Sequence, residues 1–195
     1  MKKSVLLSIV ISQLLFFAFL PVFLKLTDYL HPIMLAVVWV CILLMTFFFV
    51  LLITKRTIQF SRRMLHSFIT LYSAGLVTLL FFRPNNQIYE TVNLVPMETI
   101  QFFLSEEVNF LVAFYNLAAN VGLFVPFGVY YCFIVRKRSW SKLLLITIGA
   151  ISTIEILQFL TKRGTLDIDD LILNVLGVFI GFFLYPIVKK VIKII

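Results

Sequence analysis

Six runs of about 20 apolar residues dominate this 195-residue chain, and each is long enough to cross a membrane as a helix. A helix rises about 1.5 Å per residue, and the hydrocarbon core is about 30 Å thick. The runs do not alternate apolar and polar residues as the strands of a membrane β-barrel do. We therefore predict an all-α fold: a polytopic membrane helical bundle with about six transmembrane helices, in a single membrane domain over residues 1–195. The runs are Val5–Leu24, Ile33–Ile53, Leu65–Phe82, Phe110–Val135, Leu143–Leu160 and Leu171–Val188.

Composition excludes the main alternatives. Hydrophobic residues make up 62% of the chain and charged residues 13%, whereas soluble domains have about half and a quarter. A water-soluble or disordered chain could not accommodate 22 Phe side chains. Cys41 and Cys132 lie within apolar runs, and His31 and His66 fall near opposite membrane faces, so we expect no disulfide, no metal site and no cofactor.

Basic residues concentrate on one side of the predicted bundle. Lys and Arg resist translocation, so this side is cytoplasmic, and both termini of the multi-pass protein are predicted to lie in the cytoplasm. All nine acidic residues fall on or nearest to the other, outer side. Topology and anionic lipid headgroups explain such juxtamembrane clusters, so nucleic acid is not an expected partner. The cytoplasmic side holds 13 of the 17 basic residues: Lys2, Lys3, Lys55, Arg56, Arg62, Arg63, Arg136, Lys137, Arg138, Lys142, Lys189, Lys190 and Lys193.

Two connections on the outer side have unusual sequences. Arg83–Asn109 is long for a small bundle, and long loops are often functional. After Pro96, apolar residues recur at helical spacing opposite polar ones, which predicts a short amphipathic helix on the outer leaflet. The other connection, 161–170, carries two basic and three acidic residues in ten. The apolar side of the short helix is Met97, Ile100, Phe103 and Leu104, and its polar side is Glu98, Gln101 and Ser105.

Polar residues inside the last three runs share one depth. The fourth run enters from outside, the fifth leaves and the sixth enters again, and in each of them the polar residues lie in the outer part. Residues three or four apart share a helix face, so each run presents one polar face at this level. These residues are Asn116, Asn120, Ser152, Glu155, Gln158, Asp169, Asp170 and Asn174.

Glu155 is the most informative of these side chains. It lies about five residues below the end of its run, on the order of 8 Å deep by helical rise. A charge at the bilayer centre costs about 2.5–3.5 kcal/mol on insertion scales, and less near the edge. We expect the carboxyl to pair with Lys162 or Arg163, to accept hydrogen bonds from Gln158 or Asn120, or to stay protonated. An ionisable residue at such a depth indicates function or a link between helices.

The order and spacing of these motifs resemble the VanZ-like family, named for a protein associated with low-level teicoplanin resistance. The resemblance covers residues 93–181, and one departure is Met97, where an aromatic residue is expected. It implies a bacterial integral membrane protein, a link to glycopeptide antibiotics in some members, and no established catalytic residues. The motifs are Asn93-Leu94-Val95-Pro96, Asn116 with Asn120, Phe124-Val125-Pro126-Phe127-Gly128, Glu155 with Gln158, Arg163, Asp167-Ile168-Asp169-Asp170, Asn174, Gly177 and Gly181.

Each motif also has a purely structural interpretation. The Asn93–Pro96 stretch is compatible with a turn, the two asparagines with interhelical hydrogen bonds, and the Pro126 region with a kink. Asp167 with Asp170 fits a helix N-cap followed by a carboxylate in the first turn. Gly177 and Gly181 have the spacing of a helix-packing face.

Two functions remain as the main hypotheses. In the first, an outer-leaflet polar pocket binds a lipid-linked cell-wall precursor or a glycopeptide and contributes to teicoplanin-type resistance. In the second, a membrane-embedded enzyme acts on a lipid-linked phosphate, with candidate catalytic residues Glu155, Asp169 and Asp170. Membrane lipids are expected partners, and the lipid-facing surface is compatible with oligomers. The candidate binding residues are Asn93, Asn116, Asn120, Glu155, Gln158, Arg163, Asp167, Asp170 and Asn174.

Overall fold

The computed structural model describes residues 2–26, 33–81, 92–105 and 108–195. His31, Phe82 and the first part of the loop Arg83–Asn109 lie outside the described residues. The described residues form seven helices and four short strands. They are α1 (Lys2–Leu26), α2 (Ile33–Ile53), β1 (Ile58–Phe60), α3 (Arg62–Phe81), β2 (Val92–Asn93), α4 (Glu98–Leu104), α5 (Phe110–Ile134), α6 (Trp140–Leu160), β3 (Leu166–Asp167), α7 (Ile168–Val188) and β4 (Ile192–Ile194).

The predicted all-α membrane bundle is confirmed. In the described part of the chain, α1, α3, α5, α6 and α7 are long and apolar enough to cross a membrane. Helix α2 coincides with the second predicted run, and its stretch Val38–Ile53 is a shorter apolar helix. Helices α3, α6 and α7 begin about three residues before their apolar runs, because capping and polar residues extend a helix beyond its apolar part. The short amphipathic helix is also present as α4, although it begins at Glu98 rather than at Pro96.

The chain divides into two compact units, the first formed by Met1–Phe60, Ile187–Lys193 and Ile195. In this unit α1 packs against α2. Three serines repeat every four residues along α1 and are buried, which lets two helices approach closely. The Ser8 hydroxyl donates to the Ser4 carbonyl at 2.8 Å, so its polar group is satisfied within α1. The three serines are Ser4, Ser8 and Ser12.

The second unit, Ser61–Pro186 with Ile194, contains α3 to α7. Each of α3, α5, α6 and α7 contributes buried side chains to its core. They are Leu76, Phe124, Tyr131, Cys132, Leu143, Ile151, Val178 and Tyr185. The Tyr72 hydroxyl on α3 donates to the Leu123 carbonyl on α5 at 2.8 Å. At the end of α5, the Arg138 guanidinium donates to the Tyr185 hydroxyl on α7 at 2.9 Å.

Helices α5 and α7 touch through their backbones at three glycines. A methyl group added at Gly177 would lie 2.1 Å from the Val121 carbonyl oxygen, and one at Gly181 would lie 2.0 Å from that of Val125. A methyl group at Gly128 on α5 would lie 1.9 Å from the Val178 carbonyl oxygen on α7. The predicted packing face at Gly177 and Gly181 is therefore confirmed. Gly128 is part of the same contact, a role that its position beside Pro126 did not indicate.

We expect Gly181→Ala to destabilise this unit, because overpacking a close helix contact costs about 1–3 kcal/mol. Thermal unfolding of the purified protein in detergent measures the loss as a lower melting temperature. Gly149→Ala is the matched control, since nothing lies within 4 Å of a methyl group at that position. Equal melting temperatures for the two variants would contradict the backbone contact.

Candidate functional site

Polar side chains from α5, α6 and α7 meet in one cavity of about 720 Å³. The cavity is lined by the first half of α5, the end of α6 and the start of α7. Eight of the nine candidate binding residues line it, as expected if three successive helices carry polar faces at one depth. They are Asn116, Asn120, Glu155, Gln158, Arg163, Asp167, Asp170 and Asn174.

The α5–α7 wall of the cavity is joined by a hydrogen bond between side chains. The Asn120 amide nitrogen on α5 donates to Asp170 Oδ1 on α7. This is the interhelical link that the structural interpretation predicted for Asn120. Asn116 differs, because its amide donates to the Val112 carbonyl within α5 at 2.8 Å. Asn116 therefore lines the cavity without using this bond to hold another helix.

Helix α6 forms the wall opposite α5 with two buried polar side chains. Glu155 is 6% exposed and Gln158 is 7% exposed. The Gln158 side-chain nitrogen donates to the Leu80 carbonyl at the end of α3 at 3.2 Å. After α6 the chain turns at Lys162, where φ is 54°, and the Arg163 N–H donates to the Gln158 carbonyl at 2.8 Å. This turn places Arg163, a cation, on the cavity lining.

The three acidic residues before and within α7 have three different roles. Asp167 precedes the helix and accepts from the Asp169 N–H at 2.9 Å, which is the predicted N-cap. Its other carboxylate oxygen accepts from the Thr99 hydroxyl at 2.6 Å. Asp170 lines the cavity. Asp169, the other acidic candidate for catalysis, is fully buried and is not among the residues that line the cavity.

Asp169 holds the amphipathic helix α4 against the start of α7. Its two carboxylate oxygens accept from the backbone N–H groups of Met97, at 2.6 Å, and Ile100, at 3.1 Å. Met97 has φ 71°, a left-handed conformation that is unusual for a residue with a side chain, and the short bond to Asp169 stabilises it. Met97 is the position where the family resemblance leads one to expect an aromatic residue. Here its backbone makes the contact, and its side chain is 45% exposed.

Asn93 lies beside the cavity in a turn rather than on its lining. Its side-chain oxygen accepts from the Val95 N–H at 3.0 Å, and its amide nitrogen donates to the Thr99 hydroxyl at 3.0 Å. Strand β2 pairs in parallel with β3, and Asn93 is opposite Asp167. The turn interpretation of Asn93–Pro96 is therefore confirmed, and Asn93 supports the site through Thr99 and Asp167.

Asn174 carries a hydrogen-bond acceptor with no partner. The side chain is 6% exposed and lines the cavity, and its Oδ1 is buried without a bond to any described residue. Most buried polar atoms are paired, because leaving one unpaired costs about 1–3 kcal/mol. The oxygen itself has almost no accessible surface, so a ligand donor in the cavity reaches it only if the Asn174 side chain turns toward the lining.

The lining is rich in acceptors and carries more negative than positive groups. Its described residues provide the carboxyl groups of Glu155, Asp167 and Asp170 and one cation, Arg163. Among the described residues, no group of three or more His, Cys, Asp or Glu side chains is arranged to hold a metal ion. The His66 ring contacts the Tyr130 hydroxyl at 2.7 Å and is not on the lining. The arrangement therefore suits a head group that donates hydrogen bonds, and Arg163 is a cation that could pair with an anionic part of the same ligand.

Sequence reasoning missed three parts of this site. Thr99 connects Asn93 to Asp167, yet a single hydroxyl in the first turn of a short helix gives no signal. The Leu80 carbonyl is a backbone group and has no signature of its own. The three acidic residues around Asp169 suggested a catalytic or binding site. In the structure the hydrogen bonds of Asp169 instead hold α4 in place. Only the three-dimensional structure separates these roles.

These features define a multi-pass helical membrane protein with a polar cavity at one end of its last three long helices. The VanZ/LLP1 family model matches residues 38–189, well over half of the chain, so the protein belongs to the VanZ/LLP1 family. The match extends beyond residues 93–181, on which the resemblance rested, and includes most of α2 and all of α3. No curated protein and no solved structure matched the chain.

We expect Asp169→Asn to release α4. The carboxylate accepts hydrogen bonds from two backbone N–H groups, and in asparagine an NH₂ donor would face one of them. Bonds to charged groups contribute about 1.5–3 kcal/mol, so the backbone amides of Met97 and Ile100 should exchange hydrogen much faster. Hydrogen exchange followed by mass spectrometry of the 92–105 segment measures this. Glu98→Gln, which removes an exposed charge on α4, is the control and should leave exchange unchanged. Unchanged exchange in both variants would remove the docking role of Asp169.

Proposed function

We propose that the protein binds, in this cavity, the head of a lipid-linked cell-envelope precursor or of a glycopeptide antibiotic. The observation that carries the proposal is the polar cavity on which eight predicted side chains converge, among them Asn174, whose buried Oδ1 bonds to no described residue. A volume of about 720 Å³ is typical of small-molecule sites. Sugars and peptides supply the hydroxyl and amide donors that this acceptor needs. Such binding would contribute to teicoplanin-type resistance, the role from which the family takes its name.

The proposal includes an orientation in which the cavity opens to the outer leaflet. The predicted topology assigns 13 of the 17 basic residues to the cytoplasmic side and the polar residues of the last three runs to the outer side, and this asymmetry supports cytoplasmic termini. A cavity at the outer side would meet precursors and antibiotics where they occur in the envelope.

Cysteine labelling tests this orientation. In a variant without Cys41 and Cys132, a membrane-impermeant maleimide added to intact cells should label Thr161→Cys, after α6, and should not label Lys137→Cys, before α6. Both positions are exposed, so the two variants differ only in the membrane side proposed for them. Labelling of Lys137→Cys alone would reverse the topology and end the outer-leaflet proposal.

Asn174→Leu tests the cavity itself. Loss of one hydrogen bond of about 1 kcal/mol should weaken binding of labelled teicoplanin or of a fluorescent lipid-linked disaccharide about fivefold. The substitution removes an unpaired buried acceptor, so the melting temperature should stay the same or rise. Binding by fluorescence anisotropy and thermal unfolding measure the two effects on the same purified sample.

Thr153→Val is the matched control for this experiment. Thr153 is exposed on α6, and its hydroxyl donates to the Gly149 carbonyl within the helix at 2.7 Å. The Thr153→Val variant loses a hydroxyl that is not on the cavity lining, so it should bind both probes as the natural protein does. Equal binding by Asn174→Leu would contradict the proposal, as would the absence of binding by the natural protein.

The enzyme hypothesis keeps one specific observation in its favour. Glu155 and Arg163 line the same cavity, so a carboxyl group that could transfer a proton and a cation that could bind phosphate face one space. In this hypothesis Asp170, which lines the cavity, would orient a substrate there, whereas Asp169 is not on the lining. Conversion of the lipid-linked probe by the purified protein, rather than binding alone, would favour this alternative.

A further inference from the structure

An apolar chamber of about 430 Å³ adjoins the polar cavity within the same unit. It lies among α3, α5, α6 and α7, and its lining is almost entirely hydrocarbon. The residues that shape it include Leu76, Phe127, Leu143, Ala150, Ile151 and Val178. This second space takes no part in the site described above.

The chamber and the polar cavity are neighbours along the same helices. Phe124 on α5 lines both spaces. On α6 the chamber lining ends at Ile154, and the cavity lining begins at Glu155, the next residue. On α3 the chamber lining includes Val77, and the cavity lining includes Leu79. The linings of the two spaces therefore follow each other along α3, α5 and α6, and on α6 the change is from the apolar Ile154 to the polar Glu155.

The dimensions of the chamber fit a hydrocarbon chain. Along α6 the lining runs from Ile154 to Leu143, about 16 Å by helical rise, and along α5 from Phe124 to Val135, the same distance. Half of a hydrocarbon core of about 30 Å, the depth of one leaflet, is nearly equal to this length. Val77 and Ile146 on the lining are 46% and 61% exposed, so a chain can enter sideways from the membrane.

We infer that the ligand is an amphiphile whose hydrocarbon chain occupies the apolar chamber while its hydrogen-bond-donating head occupies the polar cavity. This inference rests on the proposed function and adds the class of ligand to it. The bilayer and the chamber are equally apolar surroundings for a hydrocarbon chain, so moving from one to the other yields no hydrophobic gain. The chamber therefore selects a ligand by the shape of its chain. The head contributes the donors that Asn174 and the acidic lining require.

Ala150→Phe tests the chamber with a matched control. Ala150 is an exposed residue of the lining, so a phenyl ring there fills the chamber without overpacking the core. Ile148→Phe adds a ring of the same size on α6 at an exposed position outside the lining. The full chain is placed in phosphatidylcholine nanodiscs, because the choline head has no hydrogen-bond donor.

The probes are palmitoyl lysophosphatidylethanolamine and glycerophosphoethanolamine, which has the same head and no chain. We expect the natural protein and Ile148→Phe to bind the palmitoyl probe equally, and Ala150→Phe to bind it about tenfold more weakly. All three should bind the chainless probe alike. Binding is measured by native mass spectrometry of the protein with bound probe.

The outcomes separate this inference from the proposed function. If Ala150→Phe binds the palmitoyl probe as well as Ile148→Phe does, the chain does not lie in the chamber, and the inference is wrong while head binding stands. If Asn174→Leu binds both probes normally while Ala150→Phe loses the palmitoyl probe, the polar cavity is not the head site and the proposed function fails. Absence of binding by the natural protein overturns the proposed ligand class.

Discussion

The close approach of α5 and α7 is the constraint on which the rest of the site depends. Gly128, Gly177 and Gly181 lack side chains, so carbonyl oxygens of each helix lie where a methyl group would be. At this separation a short Asn120 side chain on α5 reaches Asp170 on α7. A wider spacing would break that bond and open the wall of the cavity. The three glycines thus set the geometry of a polar cavity that they do not themselves line.

The acidic segment at the start of α7 shows how one short sequence serves several purposes. Asp167 caps the helix and accepts from Thr99, Asp169 anchors α4 through two backbone N–H groups, and Asp170 reaches the cavity. All three carboxylates therefore hold the site together, and two of them, Asp167 and Asp170, also line the cavity. Burying Asp169 completely is tolerable because both of its oxygens are hydrogen-bonded.

Much of the fold and part of the site could be predicted from the sequence. Apolar runs fix helices because a membrane leaves backbone groups no other partners, and polar residues at one depth on successive helices must meet when those helices pack. Eight of nine candidate binding residues accordingly line one cavity. The roles of Asn93 and Asp169 could not be predicted, because a side chain that binds backbone N–H groups looks the same in sequence as one that faces a ligand. The Gly128 contact was missed for a similar reason, since its partners lie about 50 residues away on α7.

The sequence by itself determined the membrane environment, the positions of the long helices, the amphipathic helix α4 and the level at which polar residues gather. These properties follow from hydrophobic length and helical period, which are local in the chain. Only the tertiary structure decided which of the gathered side chains line the cavity, which hold the bundle together, and that an apolar chamber lies beside the polar cavity. Those outcomes depend on how neighbouring helices are rotated and spaced, and contacts between residues far apart in the chain fix that arrangement.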